Sequence, residues 1–354
     1  MQEQDFNPAH LPEAVHVLSD PQAGLDGVIV MYSSQLGPAA GGCRVWRYAD
    51  RAAMTHDALR LAEGMAYKNA MADLPLGGGK AVINLPQGDF DRRALFEAFG
   101  RAVDRLAGQY VTAEDVGTSV ADMEVVRSQT PYVAGLSPSE GRPGGDPSPW
   151  TALGVFVSMQ KAVRHKFGGD LSGLTVAVQG LGHVGAALCE LLHAAGARLI
   201  VAEPREGVAA ALACKYGAEI ANPATILEAR CDIFAPCALG AVLDRDTVPK
   251  LKARVVCGAA NNVLATSEDG DALAERGVLY APDYVVNAGG IINVCAEYLG
   301  WTQVEVEARV RASGDRLASV LAYAEETGLP LHRAADSLAR QRLAGPRRQA
   351  AAAA

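Results

Sequence analysis

The run Gly180-Leu181-Gly182-His183-Val184-Gly185 stands directly between an apolar β-type run, Thr175-Val176-Ala177-Val178-Gln179, and a helical run that begins at Val184. A GxGxxG in that context reads as a strand-to-helix crossover. Its first glycine allows the tight turn, its second lets backbone N–H groups approach a pyrophosphate, and its third allows the helix to pack closely on the strand. The next β-type run ends at Ala202, so Glu203 falls 18 residues past Gly185, where a carboxylate accepts hydrogen bonds from both ribose hydroxyls of an adenosine and repels a 2′-phosphate. The crossover therefore predicts a doubly wound domain in which Gly180, Leu181, Gly182, His183, Val184, Gly185 and Glu203 hold a dinucleotide, NAD in preference to NADP. Arg205 works against that preference, because an arginine there accommodates the phosphate. His183 occupies a variable position of the loop and is expected to be a bystander.

A crossover of this kind occupies only part of 354 residues, and at about 150 residues per domain the chain predicts two. Upstream, β-type and helical runs alternate over residues 27–33, 54–71, 80–85, 95–106, 110–112 and 119–127, which argues α/β with substantial parallel pairing. Glycine and proline dominate residues 135–149, including Gly141 and Pro143, and mark the connection. Downstream, a helix over 151–167 precedes strands over 174–179, 198–202, 232–235, 254–257 and 278–280. Two helices, over 304–326 and 332–342, close the fold, and the tail 346–354 is expected to fray. The division predicted is 1–145 for a substrate-binding and catalytic domain, 146–325 for a Rossmann-type NAD domain, and 326–354 for a helix and tail packing back on the first, with a cleft between the two domains.

Composition narrows the partners. Lys and Arg total 32 against 40 Asp and Glu, a net charge of −8, leaving no basic surplus for a phosphate backbone or an anionic membrane. No stretch of about 18 apolar residues and no basic-then-apolar leader is present, so a cytoplasmic protein is expected. The seven cysteines form no CxxC pair and are expected to be reduced, and no metal site is expected.

The chemistry is carried by lysines in unusual places. At 100° per residue, Met54, Leu61, Met65 and Lys68 share one stripe of the helix over 54–71, with Asp57 at its edge. Lys68 thus points where apolar side chains point, either to snorkel at the helix end or to meet a small anion. Twelve residues on, Gly77-Gly78-Gly79-Lys80 opens an apolar strand; the triple glycine strips the backbone so that a ligand could approach beside an ammonium. It is no P-loop, since GxxxxGK[ST] is absent. Two lysines at one cleft repel, and with desolvation this favours a neutral amine on one of them, Lys80 being better placed as a general base. Glu114 and Asp115 follow the strand over 110–112, where either could take a proton or simply belong to a cap and turn. Asn262 and Asn287 stand at strand ends, suited to bonding a polar substrate or a carboxamide.

Together these residues resemble the amino acid dehydrogenase superfamily in its leucine, phenylalanine and valine dehydrogenase branch. The resemblance runs through residues 37–42, 64–70, 75–83, 112–118, 180–185, 232–238 and 282–292. It implies reversible oxidative deamination of an apolar L-amino acid to the 2-oxo acid and ammonia, with NAD as cofactor and a homo-oligomer, dimer or octamer. By resemblance, Lys68 holds the substrate carboxylate with the backbone of Gly41 and Gly42. Lys80 activates water, Asp115 shuttles a proton at the amino nitrogen, and Asn262 orients the amino group. Thr151 and Asn287 touch the nicotinamide end.

Met65, Ala40, Ile291 and Val294 are expected to line the side-chain pocket. Met65 stands where the glutamate-specific branch wants a lysine, which implies an apolar substrate. Ala40 suits phenylalanine-type members, whereas Ile291 is bulkier than some of them carry, so leucine, valine, isoleucine and phenylalanine all stay open. A dehydrogenase for another bulky residue such as tryptophan is the alternative, and a catalytically silent nucleotide-binding sensor a remote one. Trp150 is larger than the small residue the pattern leads one to expect beside Thr151.

Overall fold

The computed structural model describes residues 11–137, 144–238 and 240–345. Gly141, Pro143 and the tail 346–354 lie outside the described residues. Two compact units form, the first from the described residues of Met1–Gly145, Ile291–Val306 and Ala339–Ala354, the second from Asp146–Gly290 and Glu307–Leu338.

The first unit begins with β1 (Ala14–Asp20), β2 (Leu25–Ser33), β3 (Ala39–Trp46), α1 (Arg51–Met71), β4 (Gly77–Asn84), α2 (Arg92–Asp104), β5 (Tyr110–Glu114) and α3 (Val120–Arg127). Its sheet runs β1-β2-β4-β3-β5. Pairing is mixed: β1 with β2 and β2 with β4 are antiparallel, while β3 is parallel to both β4 and β5. β1 escapes periodicity reading because Val15 and Val17 are exposed on the outermost strand.

Alternation along the strands separates two environments. Cys43, Val45, Ala81, Ile83 and Tyr110 join Leu95, Phe96 and Phe99 of α2 in a fully apolar core. The opposite face carries Gly42 and Arg44 of β3 and Gly78, Lys80 and Val82 of β4, covered by α1.

The buried line of α1 is Met54, Ala58, Ala62, Ala66 and Ala70, so the expected stripe is displaced: Leu61, Met65 and Lys68 flank it, partly exposed. The reason is size. Alanines let the helix sit so close to β4 that a Cβ on Gly78 would lie 2.2 Å from Ala66 Cα. The triple glycine therefore makes room for protein, not for a ligand: a Cβ at Gly77 would strike the Ser33 carbonyl and one at Gly79 would crowd Tyr110.

The second unit continues with α4 (Ser148–Phe167), β6 (Thr175–Gln179), α5 (His183–Ala194), β7 (Arg198–Ala202), α6 (Glu206–Tyr216), β8 (Glu219–Ile220), β9 (Ile233–Pro236), β10 (Val255–Val256), α7 (Ser267–Glu275), β11 (Leu279–Tyr280) and α8 (Asp283–Val286). Its strands are all parallel in the order β11-β10-β9-β6-β7-β8. This is the doubly wound order, with the chain reversing direction between β6 and β9, where such sheets collect ligands at their carboxyl ends.

The chain closes with α9 (Gly289–Leu299), α10 (Gln303–Arg311), α11 (Ser313–Thr327) and α12 (Leu331–Leu343). The single helix expected over 304–326 is two, broken at Ala312. Arg316 bonds the Arg309 carbonyl and the Ser313 hydroxyl beside that break. Among the described residues no helix is long and apolar enough to cross a membrane. All seven cysteines are free thiols.

Candidate active site

Lys80 and Asp115 do not sit on neighbouring strands. β3 runs between β4 and β5, and Gly42, one residue before the Cys43–Ala81 pair, lies between the two side chains. A Cβ on Gly42 would sit 2.9 Å from Asp115 Cβ, so the absence of a side chain there lets the lysine reach across the strand. Lys80 Nζ meets Asp115 Oδ2 at 2.8 Å, with the lysine side chain only 6% exposed.

Asp115 is fixed by its turn. Its N–H donates to the Thr118 hydroxyl at 2.8 Å, and that hydroxyl donates to the Cys43 carbonyl, tying the turn to β3. Burial pushes the Asp115 carboxyl up, but the Lys80 and Arg44 charges outweigh it and hold the group below the usual carboxylate range. The closest charge the structure gives Lys80 is thus a carboxylate, where the sequence had suggested a second lysine. Glu114 ends β5, partly buried, so of the two adjacent acids it is Asp115 that pairs with the lysine.

The first unit also holds a recess with an empty volume of about 240 Å³ including its open mouth. Ala40 and Gly41 of β3 line it with Val111, Thr112 and Ala113 of β5; Leu76 and Ala134 add to the wall, and α9 supplies Ile291, Val294, Cys295 and Tyr298. Four expected residues, Ala40, Gly41, Ile291 and Val294, meet here. Met65 packs next to Gly41, where a Cβ would come within 3.2 Å of Met65 Cγ. Lys68 stands partly exposed in the last turn of α1. Leu76, Val111, Ala113, Ala134 and Tyr298 carry no sequence signal of their own; each looks like an ordinary apolar strand, loop or helix residue until the elements converge.

In the second unit the crossover has the shape its glycines predict. Gly180 has φ +89°, and a Cβ on Gly185 would strike the Gly180 carbonyl at 2.0 Å, whereas one on Gly182 would enter open space. Open space over the second glycine, at the N-terminus of α5, is where a pyrophosphate fits. Glu203 Oε2 accepts the Leu181 N–H at 2.9 Å and Oε1 accepts Arg205 Nε at 2.7 Å; the arginine, then the Leu181 N–H, bring its pKa down to about 2.

Asn287 donates to the Ala259 carbonyl and to Asn261 Oδ1, and its own Oδ1 is buried with no hydrogen-bond partner, an acceptor suited to a carboxamide N–H. These residues fit a dinucleotide. Asn262 is exposed with φ +51°, and Thr151 Oγ1 bonds the Pro147 carbonyl in the first turn of α4. A Cβ on Gly289 would strike the Trp150 carbonyl, so it is the Trp150 backbone that packs there. His183 is 84% exposed, 3.5 Å from Asp146. No group of three or more His, Cys, Asp or Glu is gathered for a metal among the described residues.

Residues 12–132 match the Glu/Leu/Phe/Val dehydrogenase dimerisation domain, and residues 146–210 and 202–350 match the glutamate/leucine/phenylalanine/valine dehydrogenase family. A leucine dehydrogenase of Thermoactinomyces intermedius is 45% identical over 332 residues, covering 94% of this chain and 90% of that protein. A valine dehydrogenase of Streptomyces albus is 45% identical over 339 residues, covering 95% and 93%. Among solved structures, L-tryptophan dehydrogenase from Nostoc punctiforme superimposes with a TM-score of 0.84 at 37% identity, covering 94% of this chain and 96% of that one. The chain belongs to the Glu/Leu/Phe/Val dehydrogenase family and is an amino acid dehydrogenase of the leucine and valine type, an oxidoreductase acting on CH–NH2.

Proposed function

We propose that this enzyme catalyses the reversible, NAD-dependent oxidative deamination of an aliphatic L-amino acid, leucine, isoleucine or valine, to its 2-oxo acid and ammonia. The observation that carries the reading is the buried Lys80–Asp115 pair in the same unit as an apolar recess, whose wall includes Gly41 of β3 and Ala113 of β5. An acid and a base in contact form one proton-handling unit, and a recess walled by Leu76, Val111, Ile291 and Val294 favours an uncharged, branched side chain.

In this reading Lys68 and the backbone of Gly41 and Gly42 hold the substrate carboxylate, while Asp115 meets the amino group. When bound, NAD supplies the acceptor for the Cα hydride. Asp115 takes a proton from the substrate ammonium, and the neutral amine so formed becomes an iminium as the hydride leaves Cα. Lys80, as the neutral amine, takes a proton from water as its oxygen adds to Cα. The resulting carbinolamine returns a proton to nitrogen, and ammonia leaves as the C–N bond breaks. Gly180, Leu181, Gly182, His183, Val184 and Gly185 hold the pyrophosphate, Glu203 the ribose, and Thr151 and Asn287 the nicotinamide end.

A second reading, deamination of an aromatic residue such as phenylalanine or tryptophan, draws on the small Ala40 in the recess wall and on the similarity to the tryptophan enzyme. The match of residues 12–132 to a dimerisation domain supports a homo-oligomer, which sedimentation velocity measures directly.

A panel of L-amino acids with NAD and NADP at alkaline pH, followed by absorbance of the reduced nicotinamide, tests substrate and cofactor together. Fastest reduction of NAD by leucine, isoleucine or valine is expected. Reduction only with phenylalanine or tryptophan establishes the second reading, and none with any apolar amino acid overturns both.

A further inference from the structure

Asp57 stands at the edge of the α1 stripe with no part in the chemistry above, yet it is among the most heavily bonded carboxylates of the first unit. Its Oδ2 accepts the Tyr48 hydroxyl at 2.7 Å and Arg44 NH1 at 3.2 Å, and its Oδ1 accepts Arg60 NH2 at 3.0 Å. The other end of the same guanidinium reaches the acid–base pair: Arg44 Nε lies 3.1 Å from Asp115 Oδ2, the oxygen that also receives Lys80. Charges thus alternate along one line, Lys80, Asp115, Arg44, Asp57, Arg60. Arg44, Asp115 and Asp57 are each only about one-fifth exposed, so solvent screens their coupling incompletely.

We propose that Arg44 is a positioning residue for the Lys80–Asp115 pair: pinned by Asp57 through one arm of its fork, it fixes the Asp115 carboxylate and divides its own charge between the two acids. The inference rests on the acid–base reading of Lys80 and Asp115 given above.

An arginine suits this work because its guanidinium is planar and does not lose its proton, so it is a fixed charge and not a member of the proton relay. Its position follows from the sheet. Arg44 is two residues beyond Gly42 on β3, on the same face as Lys80, where α1 brings Asp57 over the strand. Asp115 is met by Lys80 from β4 and by Arg44 from β3; its charge is felt by Tyr48 beyond β3 and, from the core side of the sheet, by the Cys43 thiol and Tyr110, while Asp57 and Arg60 stand behind Arg44. Arg44 and Lys80 are the cations of that set in contact with the carboxylate, and removing the first changes the field at the second without touching it.

The test is the pH dependence of kcat/KM and kcat for the whole enzyme, with NAD and its best amino acid, in the parent, Arg44→Met, Arg44→Lys and Asp57→Asn. Loss of a cation favours the protonated form of the coupled pair, so Arg44→Met is expected to move the acid limb to higher pH by about one unit. Asp57→Asn gives Asp115 the undivided arginine charge and moves the limb a smaller step to lower pH. Arg44→Lys returns the limb toward the parent, but kcat stays several-fold down because an ammonium does not span both carboxylates.

Shifts of opposite sign from two substitutions on one line are something a loosened fold does not produce. Limbs that coincide with the parent, or that move the same way in Arg44→Met and Asp57→Asn, overturn the proposal. If Arg44→Met does not fold, the direction of the Asp57→Asn shift decides by itself. A parent that turns over no amino acid sinks the acid–base reading beneath, whereas a parent that turns over while its variants keep its limb sinks only the role of Arg44.

Discussion

Each unit places a carboxylate just past the carboxyl end of a strand and gives it a cation, but the two pairs live in different solvents. Asp115 meets Lys80 at 2.8 Å with the lysine 6% exposed; Glu203 meets Arg205 at 2.7 Å with the arginine 63% exposed. Nearly equal distances therefore carry unequal energies. In the first pair both charges have left most of their water, and each depends on the other. In the second the arginine keeps its hydration, so a ligand hydroxyl or phosphate can compete for it at little cost. The first unit holds both charges tightly for proton transfer, and the second holds its carboxylate but keeps its arginine exchangeable for recognition.

The largest expected effect comes from breaking the buried pair. Lys80→Ala removes the base and leaves Asp115 to Arg44, and kcat is expected to fall about 10³-fold or more, while NAD affinity stays within severalfold. Turnover at a substantial fraction of the parent rate would end the base assignment. Lys68→Ala keeps the pair and removes the carboxylate clamp, so KM is expected to rise roughly 10- to 100-fold with a smaller loss in kcat. An unchanged KM places the substrate carboxylate elsewhere.

Glu203→Ala tests the pair whose cation is exposed and is expected to cost about tenfold in the NAD to NADP preference. Arg205→Ala is expected to sharpen that preference while leaving the thermal midpoint where it was. If Arg205→Ala lowers the thermal midpoint by as much as Lys80→Ala, the contrast between the two pairs is wrong.

The two regions also differ in how far the sequence reveals them. The crossover was legible because its signals are contiguous: an apolar strand, three glycines, a helix and an acid, all within 30 residues and each with one physical reason. Lys80 and Asp115 were legible as a lysine and an acid in costly places, together with the resemblance of the surrounding runs to one family, whereas Lys68, read on the apolar stripe, stands partly exposed beside it. That Lys80 answers to Asp115 was not, because their contact crosses an intervening strand and depends on Gly42 having no side chain. Arg44 and Asp57 were missed for the same reason: an arginine on a strand and an aspartate on a helix edge read as solvated charges until the sheet order brings them together. The triple glycine was misjudged because sequence shows that space is left but not what fills it, and here Ala66, Tyr110 and the Ser33 carbonyl do. The break at Ala312 escaped because it does not interrupt the local hydrophobic pattern, and the β1 edge strand because its Val15 and Val17 are exposed rather than in the core.

A third carboxylate sharpens the comparison by having backbone where the other two have cations. Glu297 of α9 accepts the Gly135 and Leu136 N–H groups, both at 3.0 Å, beside Ala134 of the recess wall, and burial leads the causes that raise its pKa. The sign of its effect is opposite to that of Asp115. A carboxyl lowered in the folded state gives stability that is present above the unfolded value of about 3.9 and lost as pH falls through the folded one, so Asp115 contributes little change above that point. A carboxyl raised in the folded state binds its proton more tightly there, so stability declines as pH rises from about 4.3 through the raised value. Glu297→Gln keeps a carbonyl oxygen for the two N–H groups and removes the titration. The difference in thermal midpoint, parent minus variant, is therefore expected to shrink by about 1–2 °C between pH 4 and pH 7, read by differential scanning calorimetry. A difference that stays flat or grows with pH means that the two N–H groups stabilise the ionised carboxylate more than burial penalises it, and Glu297 then belongs with Asp115 rather than against it.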